Sequence, residues 1–177
     1  MLLSIKKHDN GICSSYLNSL KVGEEVQGVI QKNKDFHFPR AVPSVILISN
    51  GTGIAPFLGM ISENKTNIPV HLFWGGRTQE SFKLYEKNIE HAFSRKQIQE
   101  FKIAYSQETT KHYVQDLLVK KEVLIAQVLD QGGIIMICGS LAMQHSVLDT
   151  LEAITRDQLQ LPISEFENNK QLAMDCY

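Results

Sequence analysis

Val45-Ile46-Leu47-Ile48-Ser49-Asn50-Gly51-Thr52-Gly53-Ile54-Ala55-Pro56-Phe57 decides the fold of this chain. Four consecutive apolar residues leave no polar face for water, which suits a strand buried on both sides of a parallel sheet. Two glycines one residue apart then let the backbone turn tightly and pass close to a ligand. Pro56 is pre-set for the first turn of a helix. The amides of such a turn face an anion, and the helix dipole assists. The spacing departs from Gly-x-Gly-x-x-Gly, because Pro56 stands where the third glycine would be. Taken alone, the turn reads equally well as a structural one.

Working outward, the same alternation repeats. Val70-His71-Leu72-Phe73-Trp74, Phe101-Lys102-Ile103-Ala104-Tyr105 and Ile134-Ile135-Met136-Ile137-Cys138 are further short apolar runs. Between them lie helical spacings: Phe82, Tyr85, Ile89 and Phe93 form one stripe, and Met143, Val147, Leu151 and Ile154 another. Successive strands start roughly 25–33 residues apart, room for a strand, a crossover helix and two loops. The pattern predicts an α/β fold with a doubly wound parallel sheet over residues 43–177. Residues 1–42 read differently. Met1–Lys7 and Glu25–Ile30 are expected to be short strands, with turn or loop signals at Asn10-Gly11, Lys21-Val22-Gly23 and Gln31–Asp35. They form either a hairpin packed on the α/β domain or the end of a truncated β-domain.

Composition narrows the function classes. The chain has 177 residues, 18 Lys+Arg against 19 Asp+Glu, and 43% hydrophobic residues. That balance argues against broad electrostatic binding to nucleic acid. No apolar run reaches the roughly 20 residues that span a bilayer, and the N-terminus does not read as a signal peptide. A cytoplasmic protein is expected. The 3 cysteines and 6 histidines show no metal-ligand spacing, and no metal site is expected.

In an open parallel sheet, ligands bind beyond the carboxyl ends of the strands. After Trp74 come Gly75-Gly76-Arg77, where Arg77 meets either a phosphate or a surface acid. After Tyr105 come Ser106-Gln107-Glu108-Thr109-Thr110-Lys111-His112-Tyr113-Val114-Gln115. Their hydroxyl, amine, aromatic ring and amide suit an adenosine phosphate, while the bland alternative is a polar loop with Thr109 or Thr110 as a helix N-cap. Cys138-Gly139-Ser140 ends the last run, with the thiol expected in the crevice rather than the core.

Together, Gly51–Phe57, Gly75-Gly76-Arg77 with Tyr85, the Tyr105–Gln115 loop and Cys138-Gly139-Ser140 resemble the pyridine-nucleotide domain of the ferredoxin–NADP reductase superfamily. The diflavin branch is most similar, and Met174-Asp175-Cys176-Tyr177 resembles its acid-x-aromatic ending. The resemblance implies NADP(H) as coenzyme, held by Gly51, Thr52, Gly53 and Gly139, with Arg77 on a phosphate. It implies Ser106, Lys111, Tyr113 and Gln115 around the ribose 2′-phosphate and adenine. Cys138 would lie beside the transferring carbon, Asp175 would steady the charge on the ring, and Tyr177 would occupy the nicotinamide's place. Gly11, Ile12, Cys13 and Ser14 resemble the segment that touches the FAD pyrophosphate. A flavodoxin-like or FMN-domain electron acceptor is the implied protein partner.

Two departures qualify these implications. Gln107 replaces the Arg that usually follows the serine, which removes a bidentate, permanently charged donor for a phosphate. Nothing before Gly11 supplies the Arg-x-Tyr-Ser motif that binds FAD in related reductases. The expectation is the carboxyl-terminal part of a longer flavin-dependent reductase: residues 1–42 the end of its FAD-binding barrel, residues 43–177 its NADP(H)-binding domain. FAD would then bind weakly or not at all to this chain alone. The alternative is a nucleotide-binding module with no turnover unless a flavin-domain partner is supplied.

Overall fold

The computed structural model describes residues 3–7, 10–29 and 33–177. Five strands form one parallel sheet: β1 (Val45–Asn50), β2 (Val70–Gly76), β3 (Glu100–Tyr105), β4 (Ile134–Gly139) and β5 (Leu172–Cys176). Their spatial order is β3-β2-β1-β4-β5. The helices among the described residues are α1 (Ile12–Ser19), α2 (Ile54–Ser62), α3 (Gln79–Phe82), α4 (Glu86–Ser94), α5 (Val114–Val119), α6 (Glu122–Asp130), α7 (Leu141–Leu159) and α8 (Ile163–Asn168). From β1 the chain steps outward to β2 and β3, then returns to the other side of β1 for β4 and β5. The order reverses between β1 and β4, the place where open parallel sheets form a ligand crevice beyond the strand ends.

Alternation along each strand divides the core between two faces. Val45, Leu47, Leu72, Trp74 and Met136 pack with Phe57, Leu58 and Ile61 of α2 and Ile89 and Ala92 of α4. Ile46, Ile48, Phe73, Ile135 and Ile137 pack with Leu118 of α5, Ile125 and Leu129 of α6, and Val147 and Leu151 of α7. All four apolar residues that open β1 are fully buried, as their unbroken run requires. Cutting Leu47 to Ala at this central position costs about 2–5 kcal/mol.

The doubly wound sheet is the expected one. The stripe Met143, Val147, Leu151 and Ile154 is buried along α7. The other stripe is broken: Tyr85 and Ile89 are buried and Phe82 half-buried, but Phe93 is exposed. Here α3 and α4 separate, and α4 turns Ala92 rather than Phe93 to the core.

The first 42 residues require a correction. The strands expected at Met1–Lys7 and Glu25–Ile30 do not form in their described parts, 3–7 and 25–29. Met1, Leu2 and Ile30 lie outside the described residues, as do residues 31 and 32 of the loop Gln31–Asp35. Between them the chain coils into α1, beginning with the Ser15 N–H to Gly11 carbonyl bond at 2.9 Å. A helix satisfies its backbone locally, whereas a strand needs a neighbour to bond. No residue of α1 is buried, and Ile12 is 88% exposed. Ser4 and Tyr85 share a hydroxyl–hydroxyl bond of 2.6 Å. Further along, Phe36 and Phe38 are buried in the α/β core, with the Phe36 ring centroid 5.8 Å from that of Phe57. Among the described residues no helix is long and apolar enough to cross a membrane.

Candidate functional site

The crevice between β1 and β4 is lined by backbone that leaves no room for a side chain at Gly53 and Gly139. Gly51 has φ +53 and starts a 3-10 turn, Gly51–Gly53, that runs directly into α2. A Cβ on Gly53 would lie 2.3 Å from the Cys138 carbonyl oxygen. Gly139 has φ +150, and a Cβ there would lie 2.2 Å from Asn50 Oδ1. The Trp74 indole N–H donates to the Gly51 carbonyl at 3.0 Å and anchors the turn from below. Across the crevice, the Ser140 N–H donates to Asn50 Oδ1 at 3.0 Å and Asn50 Nδ2 donates to Ser140 Oγ at 3.1 Å. Ser140 Oγ in turn caps α7, accepting from the Met143 N–H at 3.3 Å.

The end of β5 closes one side. Cys138 stands opposite Asp175 in the β4–β5 register, and Gly139 opposite Cys176. The Tyr177 N–H donates to the Gly139 carbonyl at 2.9 Å, while its hydroxyl shares a 2.8 Å bond with Thr52. The terminal phenol therefore bridges back over the glycine turn, yet Tyr177 stays 68% exposed. Cys138 is not an open crevice group as expected. It is 3% exposed and packs in the core beneath the rim, because its side chain shares the sheet face of Leu47 and Met136. Burial, then the neighbouring Asp175 and Cys176, pushes its thiol up to about 12, so at neutral pH it is a protonated, uncharged contact surface.

The β2–β3 end is assembled differently. The pairing of the two strands continues past their ends, with the Ser106 N–H on the Gly76 carbonyl (3.0 Å) and the Gln107 N–H on the Arg77 carbonyl (2.8 Å). The loop folds back when the His112 N–H reaches the Tyr105 carbonyl at 2.8 Å. Neither Thr109 nor Thr110 caps the next helix. Tyr113 is the N-cap residue of α5, and its backbone N–H donates to Asp116 Oδ2 at 2.8 Å. Arg77, Lys111 and Tyr113 are exposed, Ser106 and Gln115 half-buried. Among the described residues neither Arg77 nor Lys111 forms an ion pair.

The rim from β3 to β5 crosses four strand spacings, about 19 Å at ~4.8 Å each, the scale of an extended dinucleotide. A glycine cradle at its middle and cations at one end that form no ion pair among the described residues fit a phosphate-bearing ligand. Two surface hollows of about 370 and 470 Å³ lie elsewhere, one lined by Ile68, Val70 and Phe93, the other by Phe38, Arg40 and Lys65. Neither includes a rim residue, and neither brings together groups of the expected chemistry.

Residues 47–149, more than half of the chain, match the family model of the oxidoreductase NAD-binding domain. The chain belongs to this family. It is 32% identical to NADPH oxidoreductase A of Dictyostelium discoideum over 158 residues, which is 85% of this chain and 25% of that protein. It is 30% identical to a nitric oxide synthase of Bombyx mori over 172 residues, 89% of this chain and 14% of that protein. Nitric oxide synthase 3 of Sus scrofa is 32% identical over 170 residues, 88% and 14% respectively. The chain thus spans a quarter or less of the length of these relatives. The resemblance to the nucleotide domain of the ferredoxin–NADP reductase superfamily stands on this match, and the α/β domain is a nicotinamide-dinucleotide-binding domain of the oxidoreductase type.

Within this NAD-binding domain, the structure brings Gly51, Thr52, Gly53, Cys138, Gly139, Asp175 and Tyr177 to one end of the rim. It brings Arg77, Ser106, Lys111, Tyr113 and Gln115 to the other. Gly11, Ile12, Cys13 and Ser14 belong to the start of α1, outside the sheet, where Ser14 Oγ donates to the Gly11 carbonyl at 3.3 Å. Sequence reasoning missed Asn50, Trp74 and Glu108. Glu108 accepts from the Gln79 N–H at 2.9 Å and ties the Ser106 loop to the first turn of α3. The only local signal for Asn50 was a polar residue closing an apolar strand immediately before glycine.

Proposed function

We propose that the rim holds a reduced nicotinamide dinucleotide, NADP(H) in preference to NAD(H), as the nucleotide half of a flavin-dependent reductase. The observation that carries this reading is the division of the rim. A glycine crevice with a buried thiol and the Tyr177 phenol lies at one end, and exposed cations beside a serine hydroxyl lie at the other.

On this reading Ser106 and Lys111 bind the 2′-phosphate, Arg77 adds a second cation, and Tyr113 and Gln115 flank the adenine. A hydroxyl and an ammonium suit a dianionic phosphate. The turn Gly51-Thr52-Gly53 offers backbone amides to the pyrophosphate, at the start of α2. The nicotinamide enters between Gly139 and the Thr52–Tyr177 bridge, so the phenol must leave Thr52 for the ring to seat. Cys138 stays a neutral thiol beneath the ring's place, and Asp175 places a negative charge where the oxidised ring becomes positive. No residue of the chain forms a covalent bond; its contribution is orientation and electrostatics.

The flavin, when bound, supplies the hydride acceptor that passes electrons on to a one-electron carrier. Among the described residues of 1–42 there is one helix and no strand, so no barrel surface for a flavin is formed by them. On the family resemblance we still assign residues 1–42 as the end of an FAD-binding barrel domain and residues 43–177 as the nucleotide domain. A second reading, a binding module that turns over only with a separate flavin domain, is favoured by the wholly unburied α1.

NADPH oxidation by an artificial acceptor, with and without added FAD, separates the two. Turnover that follows added FAD supports the reductase. Tight NADPH binding with no turnover at any FAD concentration supports the module. Equal affinity for NADPH and NADH would contradict the assignment of Ser106 and Lys111.

A further inference from the structure

Asn50 is the last residue of β1, at the point where the strand order reverses. Its carboxamide is used on both sides: Oδ1 takes the Ser140 backbone N–H and Nδ2 donates to Ser140 Oγ, across 90 residues of sequence. The two bonds form a closed ring between the two walls of the crevice. Ser140 is committed by a third bond, because its oxygen caps α7. The same Oδ1 sits in the space that a Gly139 side chain would need. Gly139 is the residue whose carbonyl holds the Tyr177 N–H. One carboxamide thus fixes Ser140, leaves room only for glycine at 139, and through Gly139 places the chain end over Thr52. At the far end of the rim, Ser106, Lys111 and Tyr113 have no bond to it.

We propose that Asn50 is a positioning residue for the nicotinamide half of the coenzyme, setting the separation of the β1 and β4 walls between which that half binds. The inference rests on the dinucleotide reading above and adds to it a division of labour. Asn50 governs the half of the ligand that lies over β4 and β5 and leaves the adenosine 2′-phosphate half untouched. At neutral pH a carboxamide offers an acceptor to an N–H and a donor to a hydroxyl oxygen in one planar group of this size, which a carboxyl does only when protonated. A carboxylate keeps the first bond, takes the Ser140 hydroxyl proton in place of the second, and adds a negative charge beside the pyrophosphate turn.

The test compares two ligands on the full chain. NADPH binding is read by energy transfer from Trp74, the one tryptophan in the sequence, whose indole holds Gly51. Binding of 2′,5′-ADP, which lacks the nicotinamide half, is read by calorimetry. Asn50→Ala is expected to weaken NADPH about tenfold, as the loss of two hydrogen bonds implies. Its affinity for 2′,5′-ADP should stay within about twofold, as for a distant, independent site. Asn50→Asp should weaken NADPH further at neutral pH and recover as the pH is lowered toward protonation of the carboxyl. Should Asn50→Ala fail to fold, Ser140→Ala removes one of the two bonds and should show the same split at smaller size. Equal loss of both ligands, or unchanged NADPH binding in folded variants, would overturn the inference. An unaltered chain that binds neither ligand would overturn the dinucleotide reading itself, and this inference with it.

Discussion

At the β1–β4–β5 end of the rim, Asn50, Thr52, Ser140 and Tyr177 bond to one another; at the β2–β3 end, Arg77, Lys111 and Tyr113 stand out in solvent. The first end is shaped before a ligand arrives, and the second holds charge in reserve for one. On the proposed function, hydride transfer demands orientation to a fraction of an ångström, which rewards a fixed crevice. Recognition of a dianion depends on charge at the right place, and exposed flexible cations supply it at little conformational cost. The same sheet thus offers two kinds of site along one rim, with β3 and β4 three strand spacings of ~4.8 Å apart, about 14 Å.

The contrast is most open to attack at Gly139. Alanine there meets Asn50 at 2.2 Å and must adopt φ +150. A loss of ~3 kcal/mol or more in stability is expected, with loss of coenzyme binding. Urea unfolding measures the first and NADPH titration the second; a folded Gly139→Ala chain of native stability would show that the crevice is looser than described. Next in size, replacing Ser106 and Lys111 together by Ala should weaken NADPH by about 10–100-fold. NADH binding should not move, and the melting temperature should fall only slightly, because Lys111 is exposed and Ser106 gives up one long hydrogen bond, 3.3 Å to the Gly76 carbonyl. Parallel loss of NADH would mean that the β3 end shapes the rim rather than reads the phosphate.

Cys138 sharpens the comparison through pH. Its thiol is raised from 9.0 to about 12 in the folded chain, chiefly by burial. Below pH 9 both states keep the proton and the contribution to stability is complete. Above pH 9 only the unfolded chain loses it, so stability falls by about 1.4 kcal/mol per pH unit up to the folded value. Urea unfolding at pH 8, 9 and 10 should show a steeper decline for the unaltered chain than for Cys138→Ala. Parallel declines would mean that the thiol is solvated. The smallest effect belongs to Tyr177→Ala. Removing the phenol from Thr52 should tighten oxidised coenzyme a few-fold, about 0.5–1.5 kcal/mol for the lost hydrogen bond. Weaker binding by that variant would make Tyr177 a ligand-holding group instead.

Much of the fold was open to reading from the sequence because parallel strands buried on both faces leave a continuous apolar trace. Val45–Ile48 opens the central strand β1 and Ile134–Cys138 forms most of its neighbour β4, and the 4, 4, 3 spacing from Met143 to Ile154 is the buried face of α7. β5 left no such trace: Leu172, Ala173 and Met174 are only partly covered, and Asp175 interrupts them. The first 42 residues misled for a related reason. Their alternation resembles strands, but a strand is defined by a partner, and α1 formed where the backbone bonds could close locally. At the site, the glycines and the Ser106 loop announced themselves by residue type. Asn50 and Trp74 did not, because their bonds join residues 90 and 23 apart and only the folded sheet brings them together.

The central claim is that one dinucleotide lies along the rim with its phosphate-bearing adenosine over β3 and its ring at Cys138 and Gly139. A crystal structure of the chain grown with NADP⁺ tests it most directly. The expected density places the 2′-phosphate on Ser106 and Lys111 and the pyrophosphate on Gly51–Gly53, with Tyr177 lifted from Thr52. A bare rim, or a coenzyme lying in the opposite sense with adenosine at Cys138, would contradict it.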